Sequence, residues 1–468
     1  MPPSMTEWLP EGHLAWFILD VIAELDVSEF MAEFRADGRG GAAYDPSLML
    51  GVLVYAYCVG ERSSRRIERR LVEDVALRVL AGNLAPDHAT LARFRRRHEA
   101  AIAALFGQVL GLCVQAGLVD AGLIAIDGTK MAGNASAWSN RTRAQLAKEI
   151  LAEAERVDAA EDDEHGDGPG GSLPGPWADR RDRRARVREA LRRLEAEGAA
   201  DWESYLRERA AAETAMGRKF AGRKATPQGR RAKLKQVNVT DPDSRTMRSK
   251  QGFVQGYNAQ AAVTADQVVV AAEVTSEVND LKQFTPMLQA ATANLTDAGH
   301  SGAVGVVVAD AGYWSTANAT VDTDATVLIA TAPATSGEIT ADDPRLKVRG
   351  RILKKLDAGK LSVRDAAAEL GISTVWTRHL LREYRTHGHD PALIRADMQA
   401  RLAEEANAEQ YSKRKVTVEP LFGNIKANQG YRHFSRRGLT AVDSEWKLIC
   451  TGLNLLKLWR HQTAIATG

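Results

Sequence analysis

Three carboxylates in this 468-residue chain have the types and settings to do chemistry together. Asp127 closes the apolar run LIAID, Asp310 closes VGVVVAD, and Glu419 lies in KRKVTVEPLFGNIK. An acid that ends an apolar strand in a mixed α/β sheet sits where functional groups gather. Brought together without partners, three carboxylates repel and raise one another's pKa. Hard divalent cations relieve that repulsion, and Mg²⁺ does so through oxygen ligands while keeping several waters. Two such ions about 4 Å apart activate an attacking water or hydroxyl and stabilise the leaving oxygen of a phosphodiester. Each acid alone also reads as an ordinary cap or ion-pair partner, and a Glu before a Pro as a helix-start acid. The case rests on their order and strand context.

The elements that must position them follow from the pattern. Residues 1–120 read as a helical domain, with apolar positions at helical spacing in LAWFILDVIAEL and PSLMLGVLVYAYCVG. At Gly122 the texture changes to short strands. Residues 121–140 and 240–335 carry LIAID, GFVQGYNAQAAVTADQVVVAAEVTSE with a hairpin at TAD, AVGVVVAD and ATVLIAT, a catalytic core in two parts. Between these parts, residues 141–239 form a charged helical insertion. It is broken by the Gly/Pro-rich linker EDDEHGDGPGGSLPGPW and ends in the acid-free run Gly217 to Lys235. That run reads equally as a DNA contact or a solvated linker. Residues 338–405 form a second helical insert, and residues 406–468 a final helical segment. In that segment the sequence predicts a helix starting at Thr417, with Thr417 as N-cap and Pro420 in the first turn.

The hydrophobic share, 44%, supports a sizeable core, and the net charge of +2 does not by itself announce a nucleic-acid binder. Cys58, Cys113 and Cys450 lie far apart in apolar stretches, which excludes a zinc knuckle or a disulfide framework and fits a reducing cytoplasm. No signal-peptide pattern opens the chain, and no stretch approaches the roughly 18 apolar residues of a membrane span.

The lysines and arginines are clustered. Arg65, Arg66 and Arg69 fall on one helical stretch, and Arg93, Arg95, Arg96 and Arg97 on another. Such clusters neutralise phosphates, although a solvated helix face has the same composition. In the second insert, Val363 to Leu370, the turn Gly371-Ile372-Ser373 and a helix from Thr374 have helix-turn-helix spacing. The second helix would present Thr377, Arg378 and Arg382 to a major groove. An ordinary helical hairpin is the competing reading. Tyr313 and Trp314 follow Asp310 closely and read better as packing than as a stacking platform for an unpaired base.

The words PDHATLARFRRRH, IAIDGTKMAGNAS, TDPDSRTMRSKQGFVQGYNAQ, VVADAGYWS and YSKRKVTVEPLFGNIKANQGYRHFSRRGL together resemble the DDE transposases of bacterial insertion sequences, in the branch with an InsH-type N-terminal domain. The resemblance implies an α+β, RNase H-like mixed sheet preceded by an all-α domain and interrupted by helical insertions. It implies Asp127, Asp310 and Glu419 as catalytic, metal-binding residues. Two Mg²⁺ (or Mn²⁺) ions would serve cleavage and strand transfer with no covalent enzyme–DNA intermediate. The signature of Tyr, Arg, Glu and Lys around the catalytic helix points to Tyr411, Glu419 and Lys426 as well. Its basic member is either Arg414, one residue too far from Glu419, or Lys415, at the right spacing with different chemistry. The partners implied are double-stranded DNA (terminal inverted repeats and target) and further copies in a homodimer or higher oligomer. The implied setting is a bacterial cytoplasm, nucleoid-associated when on DNA, with no membrane. A catalytically silent, domesticated regulator is the alternative, against which stands the presence of all three carboxylates. A plain metal nuclease would not need two DNA-reading modules.

Overall fold

The computed structural model describes residues 5–32, 43–142, 144–149, 178–215, 236–249, 252–331 and 344–467, with single positions at 152, 219 and 226. The linker EDDEHGDGPGGSLPGPW, nearly all of the basic run from Gly217 to Lys235, and the start of the second insert lie outside the described residues. The chain divides into two compact units, residues 1–131 with 258–468, and residues 132–257.

The larger unit opens with α1 (Leu14–Glu24), α2 (Ser28–Met31), α3 (Pro46–Cys58), α4 (Ser64–Glu73), α5 (Val75–Leu80), α6 (His88–Arg97) and α7 (Glu99–Gln115). Side chains of Asp45, Ser63, Asp74 and Asp87 accept from the first free amides of α3, α4, α5 and α6, and Pro46 takes the first helical position of α3. Helix α3 is apolar all round and buried from Met49 to Cys58, which makes it the centre of this domain. The three cysteines are free and buried.

Arg95 departs from the sequence expectation. It is buried, donating from Nη1 to the Tyr57 hydroxyl at 3.2 Å and to the Arg62 carbonyl at 2.9 Å, and from Nη2 to the Ser64 hydroxyl. A guanidinium out of water must have its donors met, so Arg95 fastens α6 to α3 and α4 and is withdrawn from any phosphate. Arg65, Arg66, Arg69, Arg93, Arg96 and Arg97 are exposed.

The strands are β1 (Leu123–Ala132), β2 (Asn140–Arg141), β3 (Val237–Asn238), β4 (Arg245–Ser249), β5 (Gly252–Thr264), β6 (Val269–Thr275), β7 (Val306–Ala309) and β8 (Thr326–Ile329). In the larger unit they order as β6-β5-β1-β7-β8. Strand β6 is antiparallel to β5, whereas β7 runs parallel to β1 and β8 parallel to β7. Helix α9 (Phe284–Asp297) packs on β6, and α10 (Thr316–Ala319) lies between β7 and β8 in the chain. The long C-terminal helix, α16 (Leu439–Thr467), packs on α3, α7 and β6. Its buried Asn454 accepts from Val269 N and donates to Val269 O, both at 2.9 Å, so the backbone of β6 is satisfied by a side chain. This is an α+β, RNase H-like sheet with helices packed against it, after an all-helical N-terminal region.

The second insert holds α11 (Arg345–Asp357), α12 (Val363–Leu370) and α13 (Thr374–His387), packed on Ile352, Leu356, Ala366 and Leu381. Ser362 and Ser373 cap α12 and α13, and Gly371 supplies the left-handed turn between them at φ 66°. Thr377 is another correction. It is fully buried and its hydroxyl donates to Ser373 O, so it holds the turn and cannot read a base. Arg378 and Arg382 are exposed. Helices α14 (Pro391–Ala403) and α15 (Glu405–Gly423) return the chain to the sheet, α14 against β8 and α15 against β7.

In the smaller unit, the 38-residue α8 (Ala178–Ala215) buries Val187, Ala190 and Leu194 with Leu146 and Val237. Strand β4 pairs with Gly252 to Gly256 of β5, and the Tyr257 hydroxyl donates to the buried Asp241 at 2.7 Å. Among the described residues, no single helix is long and apolar enough to cross a membrane.

Candidate active site

Register brings the two aspartates together. Ile126 lies opposite Ala309 on parallel β1 and β7, so the next residues, Asp127 and Asp310, stand side by side; β7 ends before Asp310, whereas β1 runs on through Asp127 to Ala132, so Asp127 does not close its strand as the sequence suggested. Asp310 caps a 3-10 turn, Ala311–Tyr313, by accepting from Gly312 N at 2.8 Å. Asp127 accepts from Gly128 N at 2.7 Å and from Arg414 Nη1 at 3.2 Å. Burial, and next the negative charge of Asp310, push the Asp127 carboxyl up to about 6 against the pull of Gly128 N–H and Arg414; Asp280 adds to the rise.

Asp280 belongs to this cluster and was not foreseen. Its Oδ1 accepts from Lys130 Nζ at 3.0 Å, Asn258 Nδ2 at 2.7 Å and Gln260 Nε2 at 2.8 Å. Gln260 in turn accepts from the Tyr313 hydroxyl, and its backbone carbonyl accepts from Trp446 Nε1 at 2.9 Å. Tyr313 is therefore a buried member of the floor, held neutral by burial first and the three aspartates next. In the sequence, Asp280 sits in the loop SEVND before a helix, with no apolar strand run to mark it. Gly128 has no room for a side chain, since a Cβ would stand 2.2 Å from Gln260 Nε2 and 2.8 Å from Asp280 Oδ1.

Helix α15 carries the remaining candidates, and it begins twelve residues before the expected start at Thr417. Thr417 is a buried mid-helix residue whose hydroxyl donates to Lys413 O, and Pro420 stands inside the helix. The proline is tolerated because the carbonyl it deprives, that of Val416, accepts from Gln267 Nε2 at 3.2 Å. Arg414 points at Asp127, with Tyr411 hydrogen-bonded beside it, whereas Lys415 is exposed. Lys426 donates to Thr129 Oγ1 and to Lys130 O, just past Asp127 on β1, and burial lowers its pKa.

Glu419 is not with the aspartates. It is exposed, and its carboxylate makes no hydrogen bond or ion pair among the described residues. At about 100° per residue it lies some 140° around the helix from Arg414. Val418 and Leu421 occupy the buried face instead. Among the described residues, no group of three or more His, Cys, Asp or Glu is arranged to hold a metal ion. Asp127 and Asp310 suit a hard cation by donor type and adjacency, but Arg414 holds Asp127 and the third carboxylate faces solvent. The three-oxygen set does not fit a metal in this register of the helix.

An RNase H-like sheet with two aspartates side by side on adjacent parallel strands and a basic helix beside them defines the class of polynucleotidyl-transfer folds. Comparison with protein families agrees. The Transposase domain (DUF772) model matches residues 3–97, the Homeodomain-like domain model residues 343–393, and the Transposase DDE domain model residues 377–459. Together the matches indicate an insertion-sequence DDE transposase, a class that acts on DNA and normally uses divalent metals. The DDE match includes Glu419 and Lys426 and neither aspartate. No curated protein and no solved structure matches the chain.

Proposed function

We propose that the chain is an active transposase that cleaves DNA at insertion-sequence ends and joins the freed 3′-hydroxyl to target DNA, with Asp127, Asp310 and Glu419 as its catalytic carboxylates. The observation that carries this reading is the adjacency of Asp127, within β1, and Asp310, just past the end of β7, on neighbouring parallel strands. Divalent ions, Mg²⁺ or Mn²⁺ and two in the full complement, would supply charge neutralisation at the carboxylates and at the phosphate. The protein's own groups do the rest. Lys130, Asn258 and Gln260 fix Asp280, and Tyr313 and Gly128 close the floor beneath Asp127.

DNA would be held by the N-terminal domain, residues 1–120, through exposed Arg65, Arg66, Arg69, Arg93, Arg96 and Arg97 on phosphates. The insert, residues 338–405, would add Arg378 and Arg382 in a groove. Tyr411, Arg414 and Lys426 line the path to the cut. Lys415, exposed on α15, is available to the backbone of the second strand. A homodimer or higher oligomer on DNA is the working assembly, in the cytoplasm and on the nucleoid.

The test is strand cleavage of a labelled element end in Mg²⁺ beside gel-shift affinity. Asp127→Asn, Asp310→Asn and Glu419→Gln should each lose about a thousandfold or more in rate. Affinity should stay equal or rise slightly as repulsion from phosphate falls. Asp324, exposed ahead of β8, should tolerate Asn with activity kept. Cleavage surviving in any of the three removes that residue from the site. The outward Glu419 favours a second reading, a silent DNA-binding regulator, and absence of cleavage by the wild-type protein would decide for it.

A further inference from the structure

Helix α13 of the second insert turns one face to solvent. At about 100° per residue, Val375, Arg378, His379, Arg382 and Thr386 fall within some 60° of one line along it, and all five are exposed. Thr377, Leu380 and Leu381 are buried on the opposite side, where α13 packs on α11 and α12. Arg385 is committed to that packing by its 2.6 Å pair with Asp357. Among the described residues, Arg378 makes no hydrogen bond or ion pair, and Arg382 comes no nearer to an acid than 4.0 Å, at Glu383. The outward face itself holds no acid. From Arg345 to His387, eleven lysines and arginines stand against four acids, in a chain whose net charge is +2.

Val375 is the member of this face that a solvated helix does not explain. It is the second residue of α13 and 71% exposed, a β-branched side chain that adds nothing to helix formation and buries nothing. Its neighbour Trp376 has a place in the free protein. The indole rests on His379, ring centroids 5.2 Å apart, and with Glu383 it lines the cavity towards α14. Val375 lies about 100° around the helix from it, on the side of the two free arginines.

We propose that Val375 and Arg378 are the base-reading pair of the insert, Val375 against the methyl group of a thymine and Arg378 across N7 and O6 of a guanine, with Arg382 on a phosphate. A helix that enters a major groove lays its N-terminal residues on base edges and its later turns towards the backbone. The thymine methyl is the apolar group that the groove floor displays, and it suits a short branched side chain. The guanidinium fork of Arg378 matches the two acceptors of guanine. Three residues advance about 4.5 Å along the helix, and base pairs stack about 3.4 Å apart. The thymine and guanine therefore belong to neighbouring pairs or to pairs one apart. Arg382, a further turn along, carries affinity without sequence information. Val375 thus takes the base-reading place expected for the buried Thr377.

This inference rests on the insert lying in a groove of DNA, and its test separates the two. The full-length protein selects its preferred duplex from a random library, and gel shift gives affinities on that duplex. Uracil in place of each thymine in turn deletes a methyl group alone. At one position it should weaken wild type about fourfold, the worth of one buried methyl group. Val375→Ala should lose a comparable factor and bind the thymine and uracil forms of that position alike. In the same way, 7-deazaguanine at one guanine removes N7 and should cost wild type about tenfold, and Arg378→Ala nothing further. Arg382→Ala should weaken every duplex equally and lower the slope of log K against log salt by about one. All three side chains are exposed, so the variants should melt where wild type does. A Val375→Ala protein with the whole wild-type pattern of uracil sensitivities would overturn the thymine assignment. If Arg378→Ala weakens all duplexes equally, with no base preference relaxed, the insert touches phosphate alone and the reading pair is refuted while its place on DNA stands. Unchanged affinity in both arginine variants would remove the insert from DNA altogether.

Discussion

The strand-borne and helix-borne halves of this site are held by different physics. Asp127 and Asp310 are placed by a ladder, Ile126 against Ala309, that cannot shift by one residue without turning a buried apolar strand inside out. Around them Gln260, Asp280, Lys130 and Tyr313 leave no room even for a methyl group on Gly128. Glu419 depends on the rotational setting of one helix, and that helix has a proline in its ladder, a π turn at its end and a side chain standing in for a missing backbone bond. The lesson is that the same site combines a part fixed by strand register with a part fixed by the setting of one helix. Strand register is enforced by every residue along the sheet, whereas the setting of this helix rests on a few contacts, Arg414 at Asp127, Gln267 at Val416 O, Lys426 at Thr129 and the buried Val418 and Leu421.

That contrast can be broken from either side. The largest effect should come from the rigid half. Gly128→Ala would drive a Cβ into Gln260 and Asp280, at a cost on the order of 1–3 kcal/mol in chemical unfolding, with cleavage falling alongside. A variant as stable and active as wild type would mean that the floor can yield and the contrast is false.

Next in size is the pH dependence of stability. The Asp127 carboxyl titrates near 6 in the folded protein and near 3.8 in the unfolded chain, so the folded state binds more protons in that interval. Stability should then fall as pH rises from about 4 to about 6, by on the order of 2 kcal/mol, and level off above. Asp127→Asn should flatten that slope and lie above wild type at pH 7, with the gap closing towards pH 4. Parallel curves for the two proteins would show that Asp127 is not held under strain by the fold.

The smallest effect should come from the loose half. Gln267→Ala removes the donor to Val416 O, but Val416 is exposed and water can replace it, so thermal unfolding should shift by no more than about 0.5 kcal/mol. A loss of several kcal/mol would show that α15 is held as firmly as the strands.

Much of this was legible before any coordinates. The apolar runs LIAID and VGVVVAD mark buried parallel strands because both their faces are covered, and Asp310 marks where β7 leaves the sheet, whereas β1 runs on past Asp127 to Ala132 through the polar GTK that the apolar pattern does not announce. The helix-turn-helix spacing, with Ser362, Gly371 and Ser373 at its corners, is likewise local chemistry. Asp280 was not legible, because its role comes from three donors on β1 and β5 that lie twenty or more residues away in the chain. Arg95 was indistinguishable from Arg93, Arg96 and Arg97 in a basic run, and only the neighbouring α3 and α4 decide which of the four turns inward. Pro420 suggested a helix start, and a glutamine from a distant hairpin turn let the helix run through it. By itself, then, the sequence determined the buried cores of the strands, the two aspartates that follow those apolar runs and the capped helices, since these follow from periodicity and from hydrogen bonds a few residues long. The tertiary structure alone decided which arginine is buried, which third aspartate joins the pair and which way Glu419 faces, because each of those depends on what another part of the chain places beside it.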